Sequence, residues 1–144
     1  MATIYKIDPS LNLIYYAGFG ACTSSEFLHL ERKAFNDPLR VRNMKIILDL
    51  RYTELDVNLD DLRTLADLNR QLVQNGYDPE KTAVISINTF MNTLENIYKL
   101  FTEDLPVQIR VFNQLKDALR WLELSAAEKQ IEQISKSYFQ SKQP

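Results

Sequence analysis

The run KTAVISINTFMNTLENIYKLFTEDLPVQIRVFNQLKDALRWL, residues 81–122, decides the fold class. It opens with TAVISI (82–87), short, apolar and β-branched, the composition of a strand buried on both faces. Met91, Leu94, Ile97, Tyr98 and Phe101 then recur at helical spacing, which predicts a helix over 89–101. Pro106 opens a second strand, VQIRVF (107–112). Asn113 is placed to cap a helix reaching Leu124 that buries Leu115, Ala118, Leu119 and Leu122. Strand, helix, strand and helix in direct succession imply parallel strands joined by right-handed crossovers.

Upstream the same alternation continues. KIILDL (45–50) is another buried strand, and a polar loop is expected over 51–59. In DDLRTLADLNRQLVQNG (60–76), Leu62, Leu65, Ala66, Leu68, Leu72 and Val73 form one apolar face. Asp60 and Asp61 sit at the positive end of that helix dipole, and Gly76 follows where a left-handed residue ends a helix. Two short β-like runs, 3–7 and 13–17, flank the turn signal Asp8-Pro9-Ser10 and predict an antiparallel hairpin. Thr23 and Glu26 have the spacing of a capping box, opening a helix that carries Leu30, Ala34 and Phe35 and that Pro38 stops. The expected fold is therefore α/β: an N-terminal hairpin, then alternating β and α, a mixed sheet with helices covering it.

Length and composition bound the rest. At 144 residues and 45% apolar content the chain is one domain with a real core. The reading places that domain at 1–124, followed by a polar tail, 125–144, in which Ile131, Ile134 and Tyr138 keep helical spacing and the last residues fray. A net charge of −2 gives the molecule as a whole no pull toward nucleic acid or an anionic membrane. One cysteine excludes an internal disulfide and a multi-thiolate zinc site, and one histidine excludes histidine-cluster metal sites. The charge-free stretch 11–25 is too short to span a bilayer, and MATIYKIDPS is no secretory signal, so a cytoplasmic location is expected.

Three stretches carry a family resemblance: KIILDL with the loop and Leu-rich helix after it, residues 81–101, and above all VQIRVFNQLKDALRWL (107–122). The order of elements over 2–124 resembles the STAS, or anti-sigma-factor antagonist, fold, and more closely the SpoIIAA-like family of small bacterial proteins. The resemblance implies a non-enzymatic regulatory or ligand-binding module, with kinship to the CRAL-TRIO lipid carriers. It also implies a phosphorylatable serine just after the third strand. Counting on from Leu48-Asp49-Leu50 puts that position near Val57, Asn58 and Leu59. No hydroxyl stands there, the nearest being Thr53 and Tyr52, so the phosphoswitch does not carry over.

Motifs that carry chemistry are incomplete. Gly18-Phe19-Gly20 with Asp49 has the outline of a dinucleotide loop and its ribose ligand, but Thr23 stands where the third glycine belongs. Asp56-x-Asn58-x-Asp60 begins like a calcium loop, yet the turn glycine falls on Asp61 and the last ligand on Asp67. Cys22 precedes a helix with no anion-cradling arginine after it, and His29 has no G-x-S-x-G partner. No cofactor, metal or catalytic residue is assigned. Tyr5, Tyr15, Tyr16, Phe19 and Phe27 are rich enough to line an apolar pocket. In open α/β sheets ligands bind beyond the carboxyl ends of the strands. That rule assigns a recognition rim to Arg51, Tyr52, Asp56, Asn58, Asn88 and Thr89, with Asn113 beside it. Two readings follow: a protein-interaction module, or a carrier or sensor of an apolar small molecule. A protein partner, such a ligand and a homodimer stay open, and nucleic acid does not.

Overall fold

Asp8 fixes the first turn. Its carboxylate accepts the backbone N–H groups of Ser10 (3.0 Å) and Leu11 (3.3 Å), closing a 3₁₀ turn over Pro9–Leu11 that Asn12 leaves in a left-handed conformation. The expected hairpin results: β1 (Ala2–Asp8) pairs antiparallel with β2 (Leu13–Thr23). The computed structural model describes residues 2–76 and 81–142.

Beyond the hairpin come α1 (Ser24–Phe35), β3 (Lys45–Asp49), β4 (Thr53–Asp56), α2 (Leu59–Gln74), β5 (Lys81–Ile85), α3 (Phe90–Phe101), β6 (Gln108–Phe112), α4 (Leu115–Trp121) and α5 (Glu128–Lys142). The sheet order is β1-β2-β3-β5-β6, with β2, β3, β5 and β6 mutually parallel. Each new parallel strand is added on the same side of the last. Right-handed crossovers then place α1, α2 and α3 on one face. The other face is left to α4 and α5, where Leu13, Tyr15, Ile47, Ala83 and Ile85 meet Leu119, Leu122 and Ile131 in one continuous core. The sheet is mixed and helix-covered, as the sequence predicts.

Several expectations are corrected. The second hairpin arm does not end at Ala17 but runs to Thr23, past the end of β3. Its last four residues, Gly20 to Thr23, would leave backbone groups unpaired. β4 supplies the partners as a parallel strand, so 51–59 is not the open loop expected. Gly18 and Gly20 therefore lie within a strand and not in a dinucleotide loop. A Cβ on Gly18 would come within 2.9 Å of the Phe27 ring. Gly20 has φ +78° and donates its N–H to the Tyr52 carbonyl at 3.0 Å.

Thr23 caps α1 by accepting the Glu26 N–H, but no reciprocal bond closes the box, and Glu26 Oε2 is buried without a hydrogen-bond partner. The closed box is at α2: Asn58 accepts the Asp61 N–H, and Asp61 accepts the Asn58 N–H, both at 2.9 Å. Gly76 follows α2 at φ +85°, as its position predicts. Gln114, not Asn113, precedes α4, and it makes no side-chain cap. That helix stops at Trp121 because Glu123 turns left-handed, φ +60°, although Leu122 and Leu124 stay buried.

The polar tail forms a 3₁₀ turn, Ser125–Ala127, and then α5. Its spacing is helical as expected, and Ile131 is fully buried in the core against β2 and α4. Residues 143 and 144, part of the end expected to fray, lie outside the described residues. Ile131→Ala should cost about 2–5 kcal/mol in denaturant unfolding, the range for a buried aliphatic deletion. A loss near zero would mean that α5 contributes nothing to the fold.

Candidate functional site

The three helices on one face present inner stripes of matching form. On α1 the stripe is Ser24, Phe27, Leu28 and Glu31; on α2 it is Asp61, Leu62, Leu65 and Asn69; on α3 it is Met91, Leu94, Glu95 and Tyr98. Spacings of three and four residues put each set on one side of its helix. Beneath them Tyr16, Leu48, Val84 and Val111 rise from the sheet. These side chains do not close on one another. They line a half-open cavity of about 170 Å³. The core on this face is split around it. One cluster packs Ile14 and Tyr16 against Leu30 and Ala34, and another packs Leu62 and Ala66 against Leu94 and Tyr98. Protein interiors are close-packed, so a void this large is a departure. An apolar void of roughly 150 Å³ takes up a benzene-sized guest.

The polar groups of the cavity are ordered. Tyr16 donates its hydroxyl to Glu31 Oε2, and Arg40 pairs with Glu31 Oε1 at 3.1 Å. Asn69 donates to the Tyr98 hydroxyl. Burial, and then the Glu31 charge, hold the Tyr16 phenol far above its usual range. Burial does the same for Tyr98; the hydrogen bond from Asn69 opposes it and the Glu31 charge adds to it.

All six rim residues stand at the carboxyl end of the parallel strands. Arg51 and Tyr52 follow β3, Asp56 ends β4, Asn58 caps α2, and Asn88 and Thr89 lie between β5 and α3. Their roles differ. Arg51 turns back onto Asp49, donating Nε to Oδ1 (2.9 Å) and an Nη2 hydrogen to Oδ2 (2.8 Å), and its other arm pairs with Glu132 of α5 at 3.5 Å. Tyr15 donates to the same carboxylate at 2.5 Å. Desolvation would weaken the Arg51 charge, but Asp49 outweighs it and holds the guanidinium charged. Asp49 is fully buried and each oxygen accepts two bonds, so no acceptor is left for a ribose. Asn88 Oδ1 accepts the Phe90 N–H, and Ser86 Oγ accepts the Asn88 N–H. Around them Tyr52, Leu59, Ile87 (76% exposed) and Phe90 (55% exposed) face solvent.

The aromatic set divides. Tyr16 and Phe27 line the cavity, and the Tyr5 ring packs on Tyr16 at 6.3 Å. Tyr15 points to the face opposite Tyr16, as strand alternation requires, and Phe19 is not among the lining residues. Cys22 is buried, and His29 is exposed on α1. Sequence reasoning missed Glu31, Asn69 and Glu95. The signal was present: each is a polar residue at helical spacing from apolar residues of its inner stripe.

No protein-family model matches the chain, and no curated protein does. Among solved structures the chain is similar to an uncharacterized protein of the DUF3478 family, with a SpoIIAA-like fold, from Shewanella loihica PV-4. The TM-score is 0.54 at 16% identity, over 83% of this chain and 93% of that one. The chain thus has a SpoIIAA-like α/β fold. Among the described residues no helix is long and apolar enough to cross a membrane.

Tyr15, Tyr16 and Tyr98 have folded pKa values raised above the unfolded value of about 10. The stability they contribute is full below pH ~10 and falls as pH rises past it, because only the unfolded chain can then release those protons. In an alkaline titration their tyrosinate absorbance should appear together with the loss of far-UV circular dichroism. Ionisation of all seven tyrosines in a still folded chain would contradict the burial described.

Proposed function

We propose that this protein is a non-enzymatic module that binds a small, largely apolar molecule between the sheet and α1–α3. The cavity carries this reading. It is lined mainly by aliphatic and aromatic side chains, with a few fixed polar groups, the usual make-up of a small-molecule site. The polar groups best suited to acid–base work elsewhere, Asp49, Tyr15 and Arg51, are locked on one another, which supports binding over catalysis. The absence of a hydroxyl at 57–59 supports a module that works without a phosphoserine.

Titration with 2-phenylethanol, followed by amide chemical shifts, tests the reading. Saturable binding is expected, with shifts centred on Phe27, Leu65 and Leu94. Leu65→Trp should fill the cavity and abolish binding while the chain stays folded. No saturation in the wild-type chain, or equal binding in the filled variant, would overturn it.

A second reading, a regulatory contact with another protein, is favoured by the apolar side chains left in water at the rim. Ile87 and Phe90 do too little for the fold to account for their exposure. The double substitution Ile87→Ser with Phe90→Ser should change unfolding free energy by no more than about 0.5 kcal/mol. A loss well above that would show that both side chains serve packing, and this reading would lose its support.

A further inference from the structure

The cavity has a sign. Glu31, Asp61 and Glu95 reach it, and no Lys, Arg or His side chain is among its lining residues. The three carboxylates are not equivalent. Glu31 is neutralised by Arg40, both side chains being largely buried, and its second oxygen takes the Tyr16 hydroxyl. Among the described residues Asp61 accepts only the Asn58 N–H. Among the described residues the one partner of Glu95 is Lys99, at 3.2 Å. That glutamate side chain is 12% exposed, whereas Lys99 is 52% exposed and held loosely by solvent. Spare lone pairs therefore remain on Asp61 and Glu95.

Their depths along the helices differ. All three helices start at the carboxyl end of the sheet, and each residue advances about 1.5 Å along the axis. On that scale Asp61 lies about 3 Å below the start of α2, and Glu95 about 8 Å below that of α3. Glu31 lies about 10 Å down α1. The two carboxylates with spare lone pairs are thus the two nearer the rim. Glu31, the deepest of the three, is the one that Arg40 neutralises, and the walls between are Phe27, Leu65, Met91 and Val84.

We propose that the cavity selects a small primary amine on an apolar body, with its ammonium group toward Glu95 and Asp61. The inference rests on the cavity being a binding site and adds the class of its occupant. An ammonium brings three donors and no acceptor, which matches carboxylates with spare lone pairs. A carboxylate ligand would lose its water and find like charge with no cation to meet it. Asp61 is partly engaged in offsetting the α2 dipole, so Glu95 is the main contact.

Calorimetric titration of the full chain with three compounds of one shape, 2-phenylethylamine, 2-phenylethanol and phenylacetate, tests this at pH 7. The amine should bind about tenfold tighter than the alcohol at low salt, with phenylacetate weakest. The advantage of the amine should shrink as salt is added. Glu95→Gln should bring the amine-to-alcohol ratio close to one. A folded Glu95→Gln chain that keeps the full ratio, or a wild-type chain that prefers alcohol or phenylacetate, overturns the amine assignment and leaves the cavity as a binding site. Binding of none of the three overturns the cavity reading, and this inference with it.

Discussion

A single handedness rule governs the arrangement. The order β2-β3-β5-β6 advances in one direction, and each step is a right-handed crossover, so α1, α2 and α3 must all lie on the same face. Three helices then have to cover four parallel strands and each other. The inner stripes offer several small or polar residues where they converge, among them Ser24, Asn69 and Glu95, and the helices do not close over the sheet. On the other face α4 and α5 meet no such obligation, and the core there is continuous. Asymmetry of packing between the two faces is a direct outcome of topology.

The same rule sets the polarity of the site. Every helix over the cavity starts at the carboxyl end of the sheet, so the helix N-termini and the loops that lead to them share one rim. Tyr52, Ile87 and Phe90 there are exposed, whereas those facing inward are held by strand alternation. Ligand and partner surfaces would then be neighbours, separated by one turn of α2 and α3. A guest that moved Met91 in the first turn of α3 would act on the turn that carries Phe90.

Much of this was legible in the residues. The β-branched runs at 45–50, 82–87 and 107–112 announced parallel neighbours, and the periodic leucines of 60–76 announced a helix. β4 escaped notice because Thr53-Glu54-Leu55-Asp56 is short and mostly polar, and its period of two is visible only beside a known partner. The length of β2 was hidden by Gly18 and Gly20, which usually mark a turn. Gly18 is needed because the Phe27 ring lies against the strand, a contact that depends on how α1 folds back on β2. The cavity was harder still. Binary patterning reports which side chains point inward, not whether their volumes fill the space they face. Glu31, Asn69 and Glu95 were each readable as solvated residues near the edge of a stripe, and only their convergence from three helices gives them a common setting.

Asp49 bears on how the chain finds this arrangement. It lies among strand residues that alternate between two apolar layers, gripped by Tyr15, Arg51 and, through Arg51, by Glu132. Sliding β3 by one residue would drive that bare carboxylate to the opposite layer, among Ile46 and Leu48, away from every donor that now holds it. Misaligned sheets are thereby penalised far more steeply than a purely aliphatic strand could manage, so one buried acid acts as the registration mark by which the strands are indexed.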